Sequence, residues 1–202
     1  MLAKVGVACS SVRGMTEILL FHHALGLTPG VLEFAEQLRG AGHTVHTPDV
    51  YDGNVFSDLE AGLAFARKTG FGELHARGLA AADDLPHEIV YAGFSLGVMP
   101  AQELAQTRSG AAGALLFHAG APTSEFERPW PSGVPLQMHV MEGDELGDVD
   151  VCRALAEEID SAELYLYPGS GHLFADSGSV DYEPESARLL TDRTLAFLSR
   201  LS

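Results

Sequence analysis

The stretch that most restricts this chain runs from His87 to Thr107, HEIVYAGFSLGVMPAQELAQT. Its opening, Ile89-Val90-Tyr91-Ala92, is of the β-branched and aromatic kind that favours strands. Its second half, Val98 to Thr107, is rich in Ala, Gln, Glu and Leu and reads as a helix. Gly93-Phe94-Ser95-Leu96-Gly97 is all that joins them. A strand that becomes a helix over so few residues must turn sharply, and glycines two positions either side of Ser95 remove the Cβ atoms that such a turn excludes. Ser95 is thereby pushed out beyond the carboxyl end of the strand. The amide of Leu96, at the head of the helix, points at the same space.

The rest of the chain repeats the alternation. Val5–Cys9 reads as a first strand and Thr16–Phe21 as a second. The Gly- and Pro-rich loop His22–Gly30 leads into a helix over Val31–Arg39 with Val31, Phe34, Ala35 and Leu38 on one face. Thr44–Thr47 is a short strand, and helical patterning returns at Asp58–Lys68 and Glu73–Asp83. Gly113–Phe117 is an apolar run of the kind buried on both faces. Ala121–Gly133, with three prolines and Trp130, reads as a loop. Leu136–Met141 and Glu163–Tyr167 are strands separated by a helix at Val149–Ile159, and a long amphipathic helix runs from about Pro184 to Leu201. Short strands alternating with longer helices predict an α/β architecture: a mostly parallel sheet flanked by helices on both faces, with right-handed crossovers. No repeat or linker divides the chain, so residues 1–202 are expected to form a single domain.

Composition narrows the function classes. The net charge is −16, without a Lys/Arg cluster, which argues against nucleic acid as a partner. No apolar run approaches the roughly 20 residues of a membrane helix and no signal segment opens the sequence, so a cytoplasmic protein with no membrane contact is expected. The two cysteines, Cys9 and Cys152, have no metal-ligand spacing. His22 and His23 are adjacent, a poor arrangement for one ion, and no metal or cofactor is expected. Nothing in the chain marks an oligomeric state.

In such sheets reactive groups collect beyond the carboxyl ends of the strands. Ser95, Asp144 and His172 each follow a strand, in the chain order of an α/β-hydrolase triad. A serine hydroxyl becomes a nucleophile when a neighbouring base takes its proton, a task suited to His172. Asp144 would hold the imidazole in the right tautomer, with Asp148 the competing carboxylate. Oxyanion donors are expected from the amides of Leu96 and of Ala24, in the loop after the strand preceding the first long helix. His23, Leu25, Trp130 and Phe174 lie near these loops and are expected to wall a substrate pocket, whereas Phe94 reads as core. His43, His46, His118 and His139 read as structural or solvated.

Together these residues resemble the dienelactone hydrolase family. The likeness spans nearly the whole chain: HHALGLTPGVLEFAEQLRGAGHTVHTPDVYDG, the elbow GFSLG, MEGDE, GSGHLFAD and YEPESARLLTDRTLAFL. It implies a compact α/β-hydrolase fold without a large lid, acting on a small-molecule ester or lactone with Ser95, Asp144 and His172 as nucleophile, acid and base. A carboxylesterase or thioesterase of other specificity, or a non-catalytic binding protein on the same fold, are the alternatives. Three positions depart from the family pattern. Ser95 stands where cysteine is usual, and His23 replaces a glutamate of the oxyanion loop. Asp176 occupies the place of an arginine that holds a substrate carboxylate, which it would instead repel; Arg67, Arg77 and Arg128 are candidate substitutes.

Overall fold

The computed structural model describes residues 15–201. The strand expected at Val5–Cys9 lies outside them. In chain order the elements are β1 (Glu17–Phe21), α1 (Pro29–Gly40), β2 (Thr44–His46), α2 (Leu59–Thr69), α3 (Phe71–Ala80), β3 (Val90–Phe94), α4 (Val98–Thr107), β4 (Gly113–Phe117), β5 (Leu136–Met141), α5 (Val149–Glu158), β6 (Ala162–Tyr167) and α6 (Pro184–Arg200). Among the described residues the expected alternation is present. The segment Ala121–Gly133, read as loop alone, contains one 3-10 turn at Thr123–Glu125.

The six strands form one sheet in the order β2-β1-β3-β4-β5-β6, every pairing parallel. The registers put Gly93 of β3 level with Phe21 of β1 and Leu116 of β4, so the serine turn emerges at the middle of the sheet. Strand side chains alternate between two cores. Ile18, Leu20, Val90, Ala92, Leu115 and Phe117 pack against α1 and α6, through Phe34, Leu38, Leu190 and Phe197. Leu19, Phe21, Tyr91, Ala114, Leu116 and Met138 face α4 and α5, through Val98, Ala101, Cys152 and Leu155. This two-sided burial is why β4 reads as an unbroken apolar run.

α1 illustrates how the sequence sets an element. Pro29 begins it, where a missing N–H costs nothing, and Thr28 caps it by accepting from the amide of Val31 at 3.2 Å. Val31, Phe34, Ala35 and Leu38 are the buried stripe, as their spacing predicts. Each large member contributes roughly 1.5–3 kcal/mol by burial. No helix among the described residues is long and apolar enough to cross a membrane.

Candidate active site

Ser95 sits on the turn between β3 and α4 with φ of +48°, a left-handed conformation that a non-glycine residue adopts only under constraint. The flanking glycines explain how the turn closes. A Cβ on Gly93 would overlap the carbonyl of Gly97, and one on Gly97 would come within 2.7 Å of the backbone and Cβ of Phe21. Sheet, elbow and helix are therefore in backbone contact, and Ser95 is held at the sheet's carboxyl edge.

Two further turns arrive at the same edge. The turn after β5 carries Asp144 and the turn after β6 carries His172, and they are fastened together by the Gly143 amide, which donates to the Gly169 carbonyl at 2.9 Å. His172 Nε2 lies 2.7 Å from Ser95 Oγ, and its Nδ1 lies 2.8 Å from Asp144 Oδ2. A carboxylate can only accept, so Nδ1 carries the proton and Nε2 accepts from the serine hydroxyl. The second carboxylate oxygen, Oδ1, accepts from the amide of Leu146 at 2.9 Å. Asp144 and His172 are both buried. Asp148, the rival acid, instead stands at the N-cap of α5 and is turned out to solvent.

Asp181 adds a support that sequence spacing did not single out. Its Oδ2 accepts from the amide of His172 at 3.2 Å, fixing the histidine's own backbone. The Gly171 amide meets the Met141 sulfur at 3.2 Å, another tie between the β5 and β6 ends. A lone aspartate nine residues after a histidine carries no pattern that would have flagged it.

The loop after β1 is arranged by its two histidines, which do different things. His22 Nδ1–H donates to the His23 carbonyl at 2.8 Å, and its Nε2 accepts from the Val50 amide at 3.2 Å. Burial lowers its pKa to about 4, so the ring is neutral. His23 Nδ1 accepts from the Leu25 amide at 3.2 Å, leaving Nε2–H to donate to Asp176 Oδ2 at 2.6 Å. Between these bonded residues the amide of Ala24 has no acceptor among the described residues, as an oxyanion donor requires.

Asp176 faces inward rather than toward substrate. It accepts from His23, from the Thr28 hydroxyl at 2.6 Å and from the Gly178 amide at 2.7 Å. Burial opposes its ionisation, but the hydrogen bonds from His23 and Thr28 outweigh it and hold the carboxyl below its ordinary value. The arginine position of the family pattern is thus filled by a structural brace.

The expected pocket walls also lie elsewhere. Phe174 is fully buried between Tyr167 and His118. His23 and Leu25 are buried in their loop. Trp130 packs on the α4–α5 core and donates its indole N–H to the Val134 carbonyl at 2.8 Å. Apolar residues next to a motif loop turned into the interior because that is where burial stabilises them. Of the candidate arginines, Arg77 is already ion-paired, binding Glu73, Asp52 and the Val50 carbonyl, whereas Arg128 is exposed, with its guanidinium against the Thr107 carbonyl. A cleft of about 470 Å³ opens on the Leu96 side of the elbow, lined by Leu96, Gly97, Val50, Phe71, Met99 and Phe126 among others.

His118, read from sequence as structural or solvated, is buried directly against the site. Its ring is edge-on to His172 at 6.2 Å and stacked on Phe94 at 5.5 Å. Burial first, then the neighbouring imidazoles of His172, His23 and His139, push its pKa well down, so it packs as a neutral ring.

Comparison with known proteins gives the following. Residues 6–202 match the model of the dienelactone hydrolase family. A candidate carboxymethylenebutenolidase from Azospirillum brasilense is 32% identical over 69 residues, 33% of this chain and 30% of that protein, so the match spans under a third of that curated relative. Among solved structures, a candidate dienelactone hydrolase from Klebsiella pneumoniae superposes with a TM-score of 0.71 at 15% identity, covering 95% of this chain and 90% of that one. The dienelactone hydrolase from Anabaena variabilis gives 0.67 at 21% identity, with coverage of 97% and 95%.

Proposed function

Because this chain belongs to the dienelactone hydrolase family, and with it to the hydrolases acting on ester bonds, we propose that it cleaves small carboxylic esters or lactones by a Ser95–His172–Asp144 triad. The observation that carries the proposal is the continuous relay from Ser95 Oγ to His172, 2.7 Å, and from His172 to Asp144, 2.8 Å. In the first half-reaction His172 Nε2 takes the hydroxyl proton as Oγ bonds to the substrate carbonyl carbon. The amides of Leu96 and Ala24 hold the resulting oxyanion. Asp144 stabilises the imidazolium, which returns its proton to the leaving alkoxide oxygen as the ester C–O bond breaks. Water then repeats the sequence on the acyl-enzyme: His172 deprotonates it, it adds to the acyl carbon, and Ser95 leaves with the proton. For a lactone the leaving oxygen stays tethered to the acyl group, and the product is a hydroxy acid.

Serine at the elbow fits this chemistry, because its hydroxyl depends on a positioned base in a way that a pre-formed thiolate does not. Hydrolysis of p-nitrophenyl acetate by wild type and His172→Ala tests the proposal. The expected loss in kcat is about 10⁴-fold or more. A His172→Ala variant within tenfold of wild type contradicts it.

A further inference from the structure

The cleft beside the elbow has a chemistry that the triad does not use. Its wall is built from Val50, Phe71, Leu74, Leu96, Met99 and Phe126. Its volume, about 470 Å³, lies within the roughly 300–1,000 Å³ of small-molecule sites. Phe71 and Met99 remain 48% and 37% exposed at its rim. The titratable groups in the lining give no anchor for an anion: His22 is neutral, Glu103 is paired with His75 at 2.6 Å, and Glu125 adds a second carboxylate. No lysine or arginine lines it among the described residues.

Resting on the reaction proposed above, we infer that this cleft receives the uncharged, apolar acyl chain of the substrate. Direction decides between acyl and alcohol portions. The substrate carbonyl oxygen must sit against the Leu96 amide, while the leaving oxygen must lie within reach of His172 Nε2 to receive its proton. Leu96 and Gly97, the two residues after the nucleophile, line the cleft, which therefore begins on the oxyanion side of Ser95; neither Ser95 nor His172 is in its wall. The substituent that points into the cleft is therefore the one on the far side of the carbonyl carbon from His172, the acyl chain. Each methylene buried there is expected to raise kcat/KM roughly threefold to fourfold until the cleft is full.

Gly72 provides a way to test this without disturbing the catalytic groups. It lines the cleft from α3, and a Cβ built on it would meet nothing within 4 Å. A side chain added there fills open space, and replacing a helical glycine favours the helix. The experiment compares kcat/KM for p-nitrophenyl acetate, butyrate and octanoate, and for an acyl chain of octanoate length ending in a carboxylate. The enzymes are wild type, Gly72→Phe and Phe126→Ala. Wild type is expected to favour octanoate over acetate by at least tenfold and to discriminate against the ω-carboxylate chain by at least tenfold. Gly72→Phe should lower octanoate turnover tenfold or more with acetate within twofold, and Phe126→Ala should shift the optimum chain length. Ester turnover with an octanoate-to-acetate ratio unchanged in both variants overturns the cleft assignment alone. Wild type that turns over no ester and leaves Ser95 unreactive to a fluorophosphonate overturns the reaction itself.

Discussion

His23 and Asp176 are 153 residues apart in the chain, yet His23 Nε2 lies 2.6 Å from Asp176 Oδ2 with both side chains buried. The same carboxylate oxygen accepts from Thr28, the N-cap of α1. One aspartate therefore joins the loop carrying the Ala24 amide, the N-cap of a core helix and the segment following His172.

Removing that carboxylate should cost stability rather than alter selectivity. Asp176→Ala leaves the His23 N–H and the Thr28 hydroxyl buried without acceptors, and unfolding by urea should show a loss of about 3 kcal/mol. Asp176→Asn is the informative partner. Because the side chain faces inward, it should not raise turnover of esters bearing a carboxylate. A gain of tenfold on such substrates would mean that Asp176 meets the substrate after all.

Acid should destabilise this protein earlier than carboxylate titration alone requires. Burial lowers the pKa of His22 to about 4 and, with the charge of Arg193, that of His139 to about 3. In the unfolded chain both protonate near 6.5. Between those limits the unfolded state binds protons that the folded state refuses, so stability falls with falling pH by about 1.4 kcal/mol per unit for each ring. Asp176 adds to the loss further down: its depressed folded pKa gives stability that is complete above about pH 4 and disappears as pH falls through the folded value. Urea midpoints at pH 7.5, 6.0 and 5.0 check this. His139→Gln should flatten the slope, and a midpoint constant from 7.5 to 5.0 would contradict it.

The identity of the acid separates sharply by substitution. Asp144→Asn should lower kcat by roughly 10⁴-fold, since an amide leaves the imidazole in the wrong tautomer. Asp148→Asn should change kcat by less than twofold, because that side chain makes no cap bond and its left-handed backbone, φ +49°, suits asparagine. Equal losses in the two variants would mean that both carboxylates serve His172.

How much of this was legible beforehand depends on the range of the interaction. The strands, the helices and the convergence of Ser95, Asp144 and His172 follow from local pattern and from the rule that parallel strands share a carboxyl edge. α1 buries the stripe its spacing predicts, and β4 and β5 have the bounds read from their apolar runs. What could not be read was the direction of side chains whose partners are remote. Asp176 looked like a pocket residue because it matches the place of a substrate-binding arginine in the family pattern, but its partners, His23 and Thr28, lie at the other end of the chain. Trp130 and Phe174 looked like pocket walls because they are apolar and near the motif loops, but Phe174 is buried in the core and Trp130 packs, partly buried, against it. The cleft itself is assembled from Val50, Phe71, Met99 and Phe126, which no single motif connects.

The most direct measurement is reaction with a fluorophosphonate followed by mass spectrometry of the modified peptide. Stoichiometric modification of Ser95 in wild type, none at that peptide in Ser95→Ala, and a strongly slowed rate in His172→Ala are the predicted results. Ester turnover that persists in Ser95→Ala, or a wild-type protein whose Ser95 does not react, would contradict the assignment of Ser95 as the nucleophile.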